Sequence, residues 1–251
     1  MLAAACLAAI PGPAAAEVVQ RGAVRVAVDG GVTPKRLPRH GAAPISVRIE
    51  GRITPVGSAG LPQLRRIEVA INSHGRVDRR GLPRCSVGRI QPSTTDDALK
   101  LCRGALVGRG RFSANVVLPE QSPFPSRGRV LAFNGTHRGR PAILAHIYGT
   151  TPAPTSRVLP FVMRRAKGTF GTVLSASLPQ VTNQWGYVTG ISITLHRLFR
   201  DSGRTRSFVS ASCPAPAGFP GALFPFARAR FEFAGSLGLE SVLSRACAVR
   251  R

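Results

Sequence analysis

The chain has 251 residues, and 35 Lys and Arg against 11 Asp and Glu give it a formal net charge of +24. With 43% apolar residues it is too hydrophobic to be disordered, and its 27 Gly and 21 Pro interrupt it too often for long helices. The composition therefore indicates many short strands around a sizeable core.

The first 16 residues are uncharged and largely apolar, and they end in three alanines that suit signal-peptide cleavage. Because no Lys or Arg precedes the apolar run, we interpret residues 1–16 as a signal peptide whose true start lies upstream. Residues 17–41 are expected to contain a loose segment at 17–21, a strand at Ala23–Asp29 and an exposed basic connector from Gly30 to Gly41. No later run approaches the roughly 20 apolar residues of a membrane helix, so no transmembrane span is expected.

Alternating apolar residues predict strands at residues 44–53 and 64–72, which a Pro/Gly/Ser linker would join into a hairpin. Arginine alternates with glutamate on their polar sides, as at Arg48 and Glu50. We interpret these residues as cross-strand charge pairs on a solvated face, in preference to acid/base groups.

The only convincing helix start follows Ser93, where Thr94 or Thr95 can cap the helix and Asp96 and Asp97 fall in its first turn. Capping explains the two adjacent carboxylates without a cation site. The helix is expected to end near Cys102.

Four cysteines remain once the signal peptide is removed, an even number that favours disulfides in an exported protein. They allow three pairings. We favour Cys85–Cys102 with Cys213–Cys247 because each bond closes a local loop. A zinc site is the alternative, but neither a C-x-x-C pair nor a nearby histidine supports it.

A second hairpin is predicted from residues 128–134 and 141–149, the latter apolar on both faces and so central in its sheet. His146 lies in this strand, and we interpret it as a buried, hydrogen-bonded histidine in preference to a metal ligand. Residues 150–156, which read TTPAPTS, are either a domain boundary or a crossover within one domain.

The last third of the chain contains predicted strands at Tyr187–Phe199, Ser207–Cys213 and Phe224–Phe233. The second and third strands each place apolar residues on one side, so we expect them to share a core. Together these elements predict an antiparallel β-sandwich of about ten strands with one short helix and two disulfides. We place it in one domain, residues 42–251.

The chain resembles a group of exported all-β proteins of high-GC actinobacteria. The resemblance lies in LPRHGAAPISVRIEGRI, in the block from LPRC at residues 82–85 to Cys102, in ALVGRGRF, in FGTVLSASLP and in SASCPAPAGFPGALFPFARARFEF. It covers Gly22 to Val249. The group has no assigned activity or catalytic residues, so the resemblance implies export and a single domain only.

No motif of a known catalytic site is present. The pentapeptide G-x-S-x-G does not occur, the acids on strands alternate with arginines, and the five histidines do not pair at metal-ligand spacing. We therefore predict a protein that is not an enzyme and has no cofactor and no metal site.

The large positive charge has two interpretations. A GC-rich genome would supply arginine in place of lysine, whereas the shortage of acids favours anionic partners. Export argues against nucleic acid. We expect a secreted or cell-surface protein that associates electrostatically with an anionic envelope polymer or a lipid surface. The alternatives are a hydrolase or lyase on such a polymer and a structural or partner-binding subunit.

The candidate binding residues fall into two groups. A glycan-binding face usually needs exposed Trp or Tyr, which only Trp185 and Tyr187 offer; the alternative is a turn whose Trp anchors the core. The second group is the set of arginines around a basic hairpin tip, Arg197, Arg200, Arg204 and Arg206.

Overall fold

The computed structural model describes residues 16–57, 60–118, 120–178 and 186–250, so the predicted signal peptide lies outside the described residues except for Ala16. The described chain is mostly β, as predicted. None of its helices is long and apolar enough to cross a membrane. The strands are β1 (Glu17–Arg21), β2 (Val24–Thr33), β3 (Arg36–Leu37), β4 (Ala43–Pro44), β5 (Ser46–Pro55), β6 (Leu64–Asn72), β7 (Gly75–Val77), β8 (Leu106–Val116), β9 (Phe124–His137), β10 (Arg140–Gly149), β11 (Thr155–Arg165), β12 (Phe170–Ser177), β13 (Tyr187–Leu195), β14 (Leu198–Asp201), β15 (Arg204–Ser207), β16 (Val209–Ala211), β17 (Gly221–Phe233) and β18 (Gly238–Val249).

Thirteen of these strands form one sheet, in the order β1-β2-β5-β13-β8-β9-β10-β11-β12-β6-β17-β18-β3. Neighbouring strands are antiparallel, except that β3 runs parallel to β18. The sheet curls so far that β18 lies against β1 and β2. The predicted sandwich of about ten strands is therefore replaced by a single curled sheet, because strand pairing continues without the break that would separate two layers.

Two small sheets complete the β structure, the hairpin β14-β15 and the three-stranded sheet β4-β16-β7. Val209 and Ala211 of β16 are buried in the same core as Phe231 and Phe233 of β17. This confirms the predicted shared core, although β16 and β17 belong to different sheets. The three-stranded sheet thus packs against the large one.

The predicted hairpin between residues 44–53 and 64–72 is wrong. Both strands form, but β5 pairs with β2 and β13, and β6 pairs with β12 and β17. An alternating pattern decides which face of a strand is buried and does not decide which strand lies beside it. On β5 the charge pair forms within the strand, with Arg48 Nη2 2.5 Å from Glu50 Oε2, whereas Glu68 of β6 pairs both with Arg66 of its own strand and with Arg164 of β11.

The helical segment confirms the predicted helix start. It comprises α1 (Val87–Ile90), a single turn, and α2 (Thr95–Cys102), which is followed by a 3₁₀ turn at Arg103–Ala105; a second 3₁₀ turn lies at Ala234–Ser236. Thr94 caps α2, since its side chain accepts a hydrogen bond from the backbone N–H of Asp97.

The helical segment packs on the large sheet through Leu131 and Phe133 of β9 and Leu144 of β10. The opposite faces of these strands are also buried, at Ala132 and Ala145 for example. Residues 141–149 are therefore apolar on both sides, and the predicted hairpin of β9 and β10 is confirmed.

Both predicted disulfides are present. The Cα atoms are 5.8 Å apart in Cys85–Cys102 and 5.7 Å apart in Cys213–Cys247. The first bond ties the end of α2 to the chain before α1, and the second joins the segment after β16 to β18.

The N-terminal segment is more regular than expected. Residues 17–21 form β1 and pair with β2, and within the basic connector Leu37 is fully buried. The Arg39 guanidinium donates hydrogen bonds to the carbonyls of Ala215, Pro216 and Phe219. The prediction of a loose segment at residues 17–21 is therefore wrong, because backbone pairing holds it. The connector is exposed at residues 33–36, 40 and 41, as predicted, but is anchored at Leu37 and Arg39.

Candidate functional site

One strongly charged concavity of the described chain is an open groove of about 960 Å³. It lies at the end of β6, the end of β11 and the start of β12. The strand β15 and the β4-β16-β7 sheet lie beside it. Seven arginines line it against one acid, Asp78, so that the lining carries a net charge of +6. We call it the arginine groove, and its arginines are Arg76, Arg79, Arg80, Arg84, Arg164, Arg165 and Arg206.

Asp78 organises one wall of the groove. Its Oδ1 accepts hydrogen bonds from the backbone N–H and the Nε of Arg80, at 3.1 and 3.3 Å, and its Oδ2 accepts one from Nη1 of Arg206 at 2.8 Å. Burial raises the pKa of Asp78, but these hydrogen bonds outweigh burial and leave it below its ordinary value. Asp78 is thus a structural anion that links the segment after β7 to β15.

Gly81 allows the basic segment at residues 79–84 to contact the basic hairpin β14-β15. Gly81 has a φ of +76°, and a Cβ at this position would lie 2.5 Å from the side chain of Asp201. Only glycine combines this backbone conformation with so close an approach. The hairpin β14-β15 therefore packs directly on the segment that carries Arg79, Arg80 and Arg84.

Four of the groove arginines have no acidic partner within ion-pair distance in the described part of the chain; they are Arg76, Arg79, Arg84 and Arg165. The other three do have partners. Arg80 and Arg206 pair with Asp78, and Arg164 Nη2 lies 3.2 Å from Glu68 Oε2. The groove thus keeps a surplus of positive charge that internal ion pairs do not neutralise.

The structure separates the arginines predicted around the hairpin tip. Arg206 lines the groove, and its Nε lies 2.9 Å from Asp201 Oδ2. Arg200 and Arg204 are exposed on β14 and β15 outside the groove lining, and Arg197 is half-buried before β14. Of these four arginines, which are close together in the sequence, Arg206 alone therefore lines the groove.

Tyr187 of the predicted aromatic contact site is not part of the groove lining. Tyr187 begins β13, is half-buried, and accepts a hydrogen bond from Asn115 Nδ2 at 3.1 Å. Arg197 follows the other end of the same strand, so at about 3.3 Å per residue the two predicted groups lie at opposite ends of β13. Trp185 lies outside the described residues.

Sequence reasoning missed most of the site. Residues 76–84 read RVDRRGLPR, with four arginines and one acid in nine positions just before Cys85. This local density of arginine was the feature of the sequence from which the site could have been predicted. Arg164 and Arg165 gave no comparable signal, since only the pairing of β11 with β12 and β6 brings their strand to the groove.

His146 of β10 is fully buried, and its ring lies against Ser93, which precedes α2, and Ser156 of β11. Its Nε2 lies 3.1 Å from the Ser93 carbonyl oxygen and 3.2 Å from the hydroxyls of Ser93 and Ser156. Burial lowers the pKa of His146, and the hydrogen bond to Ser93 opposes this only in part. These contacts agree with the predicted buried histidine.

Two further features bear on ligand chemistry. Within the described ranges no three His, Cys, Asp or Glu side chains are grouped so that they could hold a metal ion. Beneath the β4-β16-β7 sheet lies an apolar cavity of about 50 Å³, which shares Gly75, Arg76, Val77 and Ser210 with the groove lining. At about 10–15 Å³ for each water-sized molecule, it has room for a few such molecules at most.

Comparison of the chain with protein-family models, with curated proteins and with solved structures finds no match. The resemblance to exported actinobacterial proteins therefore stays a prediction. A function for this chain has to be argued from the arginine groove itself.

Proposed function

We propose that this is an extracytoplasmic protein, secreted or attached to the cell surface, that binds anionic surface polymers or lipids electrostatically and is not an enzyme. The observation that carries the proposal is the arginine groove, in which seven arginines face a single carboxylate. Positive charge concentrated in a concave, low-dielectric setting raises the local concentration of anions and speeds their association.

Two other observations support the extracytoplasmic part of the proposal. The disulfides Cys85–Cys102 and Cys213–Cys247 are typical of oxidising compartments. The net charge of +24 suits a surface that meets anionic polymers outside the cell.

The shape of the groove favours a polymer over a bilayer. A groove of about 960 Å³ can surround one segment of a chain and contact it from several sides. A flat membrane surface would touch the rim and leave the floor unused. We therefore place a segment of an anionic polymer in the groove.

The groove supports binding better than hydrolysis. A glycosidase needs two carboxylates, one on each side of the scissile bond. Asp78 is the one acid in the groove lining, and Arg80 and Arg206 already occupy its oxygens. A hydrolase or lyase would have to take its second acid or its base from elsewhere.

The test is binding of the full chain to two soluble polyanions, polyphosphate and poly-L-glutamate, at several salt concentrations. We expect affinity to fall at least about tenfold between about 50 and 300 mM salt, since screening weakens ion contacts and bound counterions are released. Fragments in the polymer after incubation would support the hydrolase or lyase instead.

The site is tested by a matched pair of variants. Arg76→Gln/Arg165→Gln removes two unpaired groove charges, and we expect it to weaken binding about tenfold. Arg109→Gln/Arg111→Gln removes the same charge from exposed positions of β8 outside the groove, and should change affinity less than about twofold. Equal losses in both variants, or binding that is absent or independent of salt, would overturn the proposal.

A further inference from the structure

Arg79 is held in one orientation by buried partners. Its Nε donates a hydrogen bond to Asn134 Oδ1 at 2.7 Å, and its Nη2 donates one to the Gly135 carbonyl at 2.7 Å. Asn134 is fully buried. The Arg79 guanidinium is therefore fixed before any ligand arrives, which lowers the entropy cost of using it for binding.

The segment that carries Arg84 is fixed on the same residue. Asn134 Nδ2 donates to the Pro83 carbonyl at 2.8 Å, and the backbone N–H of Cys85 donates to the Asn134 carbonyl at 2.9 Å. The Cys85–Cys102 disulfide adds a covalent restraint one residue beyond Arg84. Residues 79–85 thus wrap around Asn134 and carry both arginines.

The positive charge of Arg79 is not balanced within the described chain. Arg79 is half-buried, and its partners there are a neutral amide and a backbone carbonyl. Burial lowers the pKa of Arg79, and the nearby charge of Arg84 lowers it further. A bound anion would relieve both effects. Arg206 shows the contrast, since two carboxylates already neutralise it.

We propose that Arg79 and Arg84 form a fixed site for one phosphoryl group of the bound polymer. This deepens the proposed function and rests on it, since it identifies the anionic group that the groove selects. The bonds to Asn134 and Gly135 occupy the Nε side of Arg79 and leave the Nη1 protons for a ligand.

Phosphate suits this arrangement better than carboxylate. Its oxygens point in tetrahedral directions, so two guanidinium groups that approach from different sides can each donate to it. A carboxylate can also accept from two guanidinium groups, as Asp78 does, but its two oxygens lie in one plane and restrict the directions from which both can approach. The polymer selected by the groove would then be one whose backbone or side groups carry phosphate esters.

The experiment compares polyphosphate with poly-L-glutamate of equal charge, using the full disulfide-bonded chain at one fixed ionic strength. We expect the wild type to bind polyphosphate at least about fivefold more tightly. Arg84→Gln, an exposed side chain, should remove most of this preference. Arg79→Gln should do the same and weaken polyphosphate binding about tenfold.

Two controls keep the test decisive. Arg109→Gln loses the same charge outside the groove and should keep the preference. Because Arg79→Gln can also loosen the fold, its thermal melting is measured, and Arg84→Gln alone decides the result if Arg79→Gln melts early.

The outcomes separate this inference from the proposed function. Tight, salt-sensitive binding of both polymers without a preference would overturn the phosphoryl site and leave the proposed function standing. Absence of binding to either polymer and to anionic vesicles would overturn both. Binding to phosphatidylglycerol vesicles that needs Arg84, with no binding to soluble polyphosphate, would overturn the polymer as the source of the phosphoryl group.

Discussion

The Arg245 side chain joins the two ends of the curled sheet, with its Nη1 2.6 Å from Glu17 Oε1. Its Nη2 lies 2.8 Å from Asp29 Oδ1, and its Nε donates to the Gly30 carbonyl. Arg245 belongs to β18, Glu17 to β1 and Asp29 to β2. Burial lowers the pKa of Arg245, but the two carboxylates outweigh burial and raise it. The contact between the sheet ends is therefore ionic.

Loss of this contact should destabilise the fold. The Arg245 side chain is 9% exposed, and Arg245→Met would leave two carboxylates without their cation. These carboxylates are 29% and 38% exposed, so we expect a loss of about 2 kcal/mol in the free energy of unfolding, below the cost for a fully buried pair. Urea denaturation measures it.

Arg230→Met is the matched control, because the Arg230–Glu240 pair also involves β18 but is 55% and 38% exposed. It should cost less than about 0.5 kcal/mol. Equal losses in the two variants would show that the sheet ends do not depend on Arg245.

His146 should make the protein sensitive to mild acid. Its pKa in the folded state lies below the ordinary value of 6.5, so the unfolded chain binds the proton first as pH falls. Stability contributed by the neutral, buried imidazole is thus present above about pH 6.5 and is lost as pH falls from there through the folded-state pKa.

The measurement is the urea midpoint between about pH 8 and pH 5 for the wild type and for His146→Gln. The variant should lose the part of the pH dependence that lies in this window. Parallel curves for the two proteins would contradict the assignment. Asp78 does not interfere, because its lowered pKa moves its own effect to more acid conditions, below about pH 4.

Both disulfides should stabilise the fold, but only Cys85–Cys102 should also affect binding. The closed loops span 17 residues for Cys85–Cys102 and 34 for Cys213–Cys247. Replacing each pair by alanines should cost about 3 and about 4 kcal/mol of stability, respectively.

Removal of Cys85–Cys102 alone should also weaken polyphosphate binding, because this bond restrains the segment that carries Arg79 and Arg84. We expect a loss of about threefold to tenfold. Binding by the Cys213→Ala/Cys247→Ala variant at a temperature where it is folded should be unchanged. The opposite order of effects would argue against a preformed site.

Asp78→Asn should change stability and binding in opposite directions. The substitution removes the carboxylate that Arg80 and Arg206 share, which should lower stability by about 1 kcal/mol. It also frees Arg80, while Arg206 loses one of its two carboxylates and keeps Asp201, so polyanion binding should strengthen about threefold at low salt. Weaker polyanion binding by the folded variant would contradict the role of Asp78 as a structural anion.

Local features were predictable from the sequence and long-range pairing was not. Thr94 as a helix cap, the strand at residues 141–149 and the buried face of β17 follow from local patterns. So do the two disulfides, because each closes a short loop. The neighbours of β5 and β6 could not be inferred, because alternation does not specify partners across a large sheet.

The candidate site was less predictable than the fold for the same reason. Arg206 and Arg79 are 127 positions apart, yet both line the groove because Gly81 allows the close approach of Asp201. A charge run shows where arginines are dense along the chain. Whether each is neutralised depends on acids such as Glu68, which reaches Arg164 only through strand pairing.

The most direct test of the central claim is a map of which arginines an anionic polymer protects from a guanidinium-specific dicarbonyl reagent. With polyphosphate bound, we predict protection of the exposed groove residues Arg76, Arg84 and Arg165, while Arg109 and Arg111 on β8 react as they do without polymer. Protection spread evenly over exposed arginines, or confined to sites outside the groove, would contradict the claim that this groove is where the protein binds.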